Sequence, residues 1–118
     1  MITKWLEGRQ VYLYRPVIDF RKQMDGLIQV VASEMSKKPT DGSVYVFQNR
    51  YGDKVKILFW DRNGFWMGVK RLETGRFDFP TEKAGSISLS WEQMYLLISG
   101  LPMTQLKYVD TEKVTSFF

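Results

Sequence analysis

The chain contains neither cysteine nor histidine. With thiolate and imidazole both missing, tetrahedral zinc sites built on them, disulfide frameworks, thiol nucleophiles and imidazole-based acid–base catalysis are excluded. Long apolar runs are missing as well. No stretch approaches the ~20 consecutive apolar residues of a membrane span, and residues 1–8, MITKWLEG, lack the apolar core of a signal peptide. The expected compartment is the cytoplasm, with no membrane partner. Proline is scarce, at four residues, and Pro16, Pro39, Pro80 and Pro102 each fall where a periodic segment stops.

What is present has the balance of a globular protein, with 44% hydrophobic and 25% charged residues. A chain of 118 residues buries about two-thirds of its unfolded surface, so one core and one domain over residues 1–118 are expected. Aromatic residues reach 15%, which implies rings in the core or on a stacking surface. The net charge of +4 is unevenly distributed. Residues 50–76 hold seven bases (Arg50, Lys54, Lys56, Arg62, Lys70, Arg71 and Arg76) against three acids (Asp53, Asp61 and Glu73), and the remaining bases and acids balance.

Periodicity sets out the elements. Residues 11–14, VYLY, are β-branched and aromatic and read as a strand closed by Arg15-Pro16. Asp19 is placed to cap a helix, with Phe20, Met24, Leu27, Val31 and Met35 recurring every three or four residues until Lys37-Lys38-Pro39. Gly26 inside it costs about 1 kcal/mol relative to alanine. Beyond a turn at residues 40–43 the period becomes two. Strands are predicted at 44–48, 54–60 and 65–72, the last two joined through Asn63-Gly64, with a short strand at 76–79 and an edge strand at 86–89. Ser90 and Gln93 have capping-box spacing before a short helix that Gly100 and Pro102 end. The expected class is α+β: a small antiparallel β-meander of four to six strands packed with one longer N-terminal helix and one short C-terminal helix. Residues 103–118 form a tail that the pattern assigns to no element.

Catalytic chemistry finds no footing. Asp53, Asp61, Glu73 and Asp78 suggest a metal-dependent nuclease set, but Asp53 and Asp61 fall in turns, where Asp bonds its own backbone, and no βαβ pattern is evident. Ser86, Ser88 and Ser90 have no base partner. No catalytic residue, metal or cofactor is therefore expected. Bases interleaved with aromatics suit nucleic acid, since Lys and Arg meet phosphates and rings stack on bases. On residues 54–60, Lys54, Lys56, Leu58 and Trp60 share one face and Val55, Ile57 and Phe59 the other. Two readings stay open: a phosphate-binding face, or lysines that solvate the open side of a half-buried sheet while Trp60, Phe65 and Trp66 pack the hairpin. Lys70 and Arg71 point to opposite faces, so only one joins a given surface.

The strings GSVYVFQNRYGDKVKIL (42–58), WDRNGFW (60–66) and KRLETGRF (70–77), with Pro80, closely resemble the accessory protein of IS66-type bacterial insertion sequences, the Orf2-like product often labelled TnpB. DFRKQMDGL (19–27) is similar to that family's helix start, and residues 89–97 with Gly100 to its closing helix. The likeness runs from about residue 11 to residue 100. Departures are Phe20 for the usual methionine, Gln23 for glycine and Met103 near a usual tryptophan. The resemblance implies a protein encoded beside a large transposase, used in transposition and without an established active site, unrelated to RNA-guided nucleases that share the label. The expectation is a DNA-binding accessory factor, acting at the element ends through Arg50, Lys54, Lys56, Arg62, Lys70, Arg71 and Arg76. The alternative is an interaction module that docks on the transposase or the other accessory protein without contacting DNA. A relic of an inactive element is the third reading.

Overall fold

The computed structural model describes residues 6–102, so the tail at 103–118 lies outside the described residues. Strands β1 (Val11–Tyr14), β2 (Val44–Gln48), β3 (Lys54–Asp61), β4 (Gly64–Arg71) and β5 (Ser86–Leu89) form one sheet in the order β4-β3-β2-β1-β5. Helix α1 (Met24–Ser33) lies between β1 and β2, and α2 (Trp91–Ile98) follows β5. The class is α+β.

Two features of the expected meander are corrected. The sheet is mixed, because β1 pairs with β2 in parallel, Val11 opposite Val44 through Tyr14 opposite Phe47. The other three pairings are antiparallel. Parallel neighbours need a crossover, here α1, so a βαβ unit is present after all. The longer helix is thus not the N-terminal element but follows β1, as its place after the strand at 11–14 requires.

Every position of β2 is buried, as expected of a central strand covered on both faces. On one side Val44 and Val46 join Val55, Ile57 and Phe59 of β3, Val11 and Leu13 of β1, and Met94 and Leu97 of α2. On the other, Tyr45, Phe47 and Leu58 pack with Leu27, Val30 and Val31 of α1. Val55 to Phe59 are therefore buried on both faces, and Lys54 and Trp60 are half-buried.

The helix start is also corrected. Asp19 does not cap α1, whose N-cap is Gln23 without a side-chain bond. The Asp19 carboxylate instead accepts from Arg21 N at 2.9 Å and its carbonyl accepts from Lys22 N at 2.9 Å, a local turn that competes with helix. Phe20 and Met35 still pack on the α1 core, so the apolar period runs past the helix at both ends. Ser36, with φ of 54°, turns the chain before Lys37-Lys38-Pro39.

Residues 76–79 are not a strand. Phe77 N donates to the Gly52 carbonyl at 2.8 Å and its buried ring sits in the α2-side core, 5.7 Å from Phe79. The alternating rings are loop anchors. The β3–β4 turn consists of Arg62 and Asn63, and Arg62 takes a positive φ of 56°, with Gly64 already the first residue of β4.

Helix α2 has the ends its sequence specifies. The Ser90 hydroxyl accepts from Gln93 N at 3.1 Å and Gln93 Oε1 accepts from Ser90 N at 2.8 Å. At the far end Gly100, φ 77°, lets Leu101 N and Gly100 N reach the Leu96 and Leu97 carbonyls, a Schellman closure. Ser90→Ala is expected to lower the unfolding free energy by about 1 kcal/mol, read as a shift in urea midpoint at constant denaturant slope.

Candidate nucleic-acid interface

Parallel β1 and β2 end at the same rim of the sheet, and antiparallel β3 begins there. The connection from β2 to β3 is held by one side chain: Asn49 Oδ1 accepts from Gly52 N at 3.0 Å and Lys54 N at 3.1 Å, while Asn49 Nδ2 donates to Asp53 Oδ1 at 2.7 Å. Gly52, φ 84°, provides the reversal. On this braced turn Tyr51 stands 63% exposed, the most exposed large hydrophobic residue described. The Arg76 guanidinium lies over its ring at 4.3 Å, delivered by the neighbouring Phe77 anchor. The carbonyl of Asp53 accepts from Leu72 N at 2.8 Å, tying the post-β4 loop to the same turn.

Tyr51 separates two grooves. One, about 460 Å³, runs between residues 17–20 after β1 and Asn49, Arg50 and Tyr51 after β2. The other, about 420 Å³, is lined by Tyr51, Asp53, Leu72, Glu73, Gly75 and Arg76. The first lies beyond the carboxyl ends of the parallel strands, where open α/β sheets commonly bind ligands.

The structure divides the seven candidate bases. Arg50, Lys54, Arg71 and Arg76 gather on this rim. Arg50 and Arg76 are exposed, Lys54 is half-buried, and Lys54 faces Arg71 across the β3–β4 pairing. Arg71 Nε donates to Glu73 Oε2 at 2.9 Å.

Lys56, only 5% exposed, is absorbed by the fold. Its ammonium donates to the carbonyls of Phe20 at 2.9 Å and Lys22 at 2.7 Å, and lies 4.7 Å from the Phe20 ring. Burial lowers its pKa against the opposing pull of Asp19, and Lys54 lowers it further. Lys70 lies on the opposite face, beside α2, where its Nζ donates to the Ile98 carbonyl at 2.6 Å, a favourable cation at a helix C-terminus. Arg62 stands at the far end of the sheet in the hairpin, 3.8 Å from Asp61.

Acids near the rim are engaged. Arg21 donates to both Asp19 oxygens at 2.6 to 3.0 Å and thereby pulls the Asp19 carboxyl down to about 2. Asp53 is bonded to Asn49 and Glu73 to Arg71. Asp61 is at the other end, and among the described residues no group of three acids is placed to hold a metal ion.

Sequence reasoning misses three contributors. Tyr51 reads as part of a turn, although a large ring in Asn49-Arg50-Tyr51-Gly52-Asp53 is itself a signal, since turns favour small polar residues. Arg15 and Lys83 lie outside residues 50–76 but reach the same end. Buried Gln48 joins them: its Nε2 donates to the Arg15 carbonyl at 2.5 Å, and Lys83 Nζ donates to its Oε1 at 3.0 Å.

The geometry defines a small α+β protein whose sheet ends in a braced, basic, ring-bearing rim. The family described as IS66 Orf2 like protein matches over residues 9–108. A protein of Sinorhizobium fredii (strain NBRC 101917 / NGR234) named Uncharacterized protein y4jC is 32% identical over 108 residues, covering 92% of each chain. Uncharacterized protein y4hO of the same strain is 34% identical over 83 residues, covering 70% of this chain and 72% of its own. No solved structure matches. The chain belongs to the IS66 Orf2-like family, accessory proteins of insertion sequences.

Two outcomes are expected. Lys56→Met, which keeps the stem and removes the ammonium, deprives two loop carbonyls of a charged donor and lowers stability by about 1–3 kcal/mol in urea denaturation, whereas Lys54→Met changes it by less than about 0.5 kcal/mol. The Asp19 carboxyl, with a folded pKa below its ordinary value, contributes stability above the unfolded pKa of about 3.9 that is lost as pH falls through about 2. Carboxylate NMR should place its midpoint near 2, and Arg21→Gln should return it toward the ordinary value.

Proposed function

We propose that the protein is a non-catalytic accessory factor of its insertion sequence that binds DNA at the rim, with Arg50, Lys54, Arg71 and Arg76 meeting phosphates. The observation that carries this reading is the gathering of these four bases beside an exposed tyrosine and an open groove, where Arg71 is shared with Glu73, Asp19 is paired with Arg21 and Asp53 is bonded to the neutral Asn49 amide. Lys56 and Lys70 serve the fold, and Arg62 lies too far along the sheet to share the same phosphate track. Phosphate neutralisation releases counterions, so the affinity is salt-dependent.

A second reading is favoured by β4. It is an edge strand of eight residues, with Trp66 48% and Val69 56% exposed. Such an edge is a template for strand addition by a protein partner, for which the transposase or the other accessory protein is the candidate. Co-purification with the transposase that survives nuclease treatment, with no DNA affinity in the isolated chain, favours this reading over the first.

Titration against element-end and unrelated duplexes at two salt concentrations tests DNA binding. Changing Arg50, Lys54 and Arg76 together to glutamine should flatten the dependence of log affinity on log salt by about 0.9 for each phosphate no longer neutralised, and Arg62→Gln should leave it unchanged. Absence of any salt-dependent affinity overturns the reading.

A further inference from the structure

We infer that Tyr51, backed by Arg76, is a stacking platform for an unpaired base, so that the rim takes single-stranded in preference to duplex DNA. This rests on the DNA-binding reading above and specifies its substrate.

Tyr51 adds little to the core. At 63% exposure its ring is displayed, yet its backbone is not loose: the Asn49 side chain fixes the turn at both sides of it. The Arg76 guanidinium covers part of the ring. Arg76 is itself positioned, because Phe77 is buried and hydrogen-bonded to Gly52, and the aliphatic carbons of Arg76 run close over Gly52, 3.7 to 3.9 Å from where a Cβ would stand there. With the guanidinium over one face of the ring, the opposite face is the one on which a base can stack without sequence preference, and the cation behind it adds to the attraction.

The grooves on either side strengthen the assignment. Their volumes of about 460 and 420 Å³ fall within the ~300–1,000 Å³ of pockets that take small molecules, and Tyr51 is the wall they share. Their polar lining includes Asn49 and Asp19 on one side and Asp53 and Glu73 on the other. Bonded to Arg21, Asn49 and Arg71 as they are, these carboxylates keep lone pairs that accept from base amino groups. Bases are therefore suited to the grooves, and phosphates to Arg50, Lys54 and Arg76 around them. A base in a duplex must be unstacked before its face can meet Tyr51, at a cost of a few kcal/mol. In a single strand that face is already accessible.

Fluorescence anisotropy with labelled thymidine and adenine oligonucleotides, and with a duplex of equal length at the same salt, tests the inference on the full chain. The single strands should bind more tightly than the duplex. Tyr51→Ala should weaken single-strand binding roughly 5- to 150-fold, the range for removing one stacked base, with duplex affinity unchanged, and Tyr51→Phe should retain the binding. Because the ring is exposed, the urea midpoint of Tyr51→Ala should match the parent, separating removal of the platform from damage to the fold. Equal affinity for both forms, or a Tyr51→Ala effect that is absent or the same on both, overturns the stacking platform while leaving DNA binding intact. Failure of all oligonucleotides to bind at low salt overturns the DNA-binding reading itself.

Discussion

Strand β2 has no side that it can show to water. Val44, Tyr45, Val46, Phe47 and Gln48 are all buried, so each face of the sheet must be covered, and the chain provides one helix for each. Covering the Tyr45–Phe47 face with α1 places that helix between β1 and β2 and makes those strands parallel. Parallel strands end together. The groove, the Asn49 turn and exposed Tyr51 are consequences of that shared end, which an antiparallel meander would not create.

Lys56 shows how charge is divided between architecture and surface. Its ammonium reaches the carbonyls of Phe20 and Lys22, fastening the segment that leads into α1 to the middle of β3. A strongly hydrated group held this deep is tolerated because it is hydrogen-bonded. The same segment carries Asp19, whose carboxylate is neutralised by Arg21 rather than by the rim bases. Arg50, Lys54 and Arg76 thereby keep a surplus of positive charge near the grooves, while Lys70 is committed to the end of α2.

Much of this is legible in the residues. Alternation in β3 separates Val55, Ile57 and Phe59 from Lys56, Leu58 and Trp60 correctly, and Ser90 with Gln93 specifies the start of α2. Periodicity, however, reports which residues share a face and is silent on what covers it, so Lys56 reads as a solvent-facing lysine. Asp19 offers a carboxylate that suits a helix cap or a turn equally, and the turn wins through Arg21. Phe77 and Phe79 imitate a strand because two anchors spaced by one residue have its period. Parallel pairing of β1 with β2 follows from the order strand, helix, strand over residues 11–48, a βαβ signal that the sequence carries and that the meander reading passes over. The site is legible as a charge excess over residues 50–76, whereas its division depends on where the fold brings Ile98 and Phe20.

The central claim is spatial: nucleic acid meets the protein at the rim shared by the ends of β1 and β2. Backbone amide NMR during addition of an unlabelled oligonucleotide tests it most directly. The account predicts shift changes concentrated at residues 15–20, 49–54 and 71–77, with the hairpin at Arg62 and Asn63 unmoved. Changes centred on that hairpin or along the β4 edge at Trp66 and Val69 would contradict it.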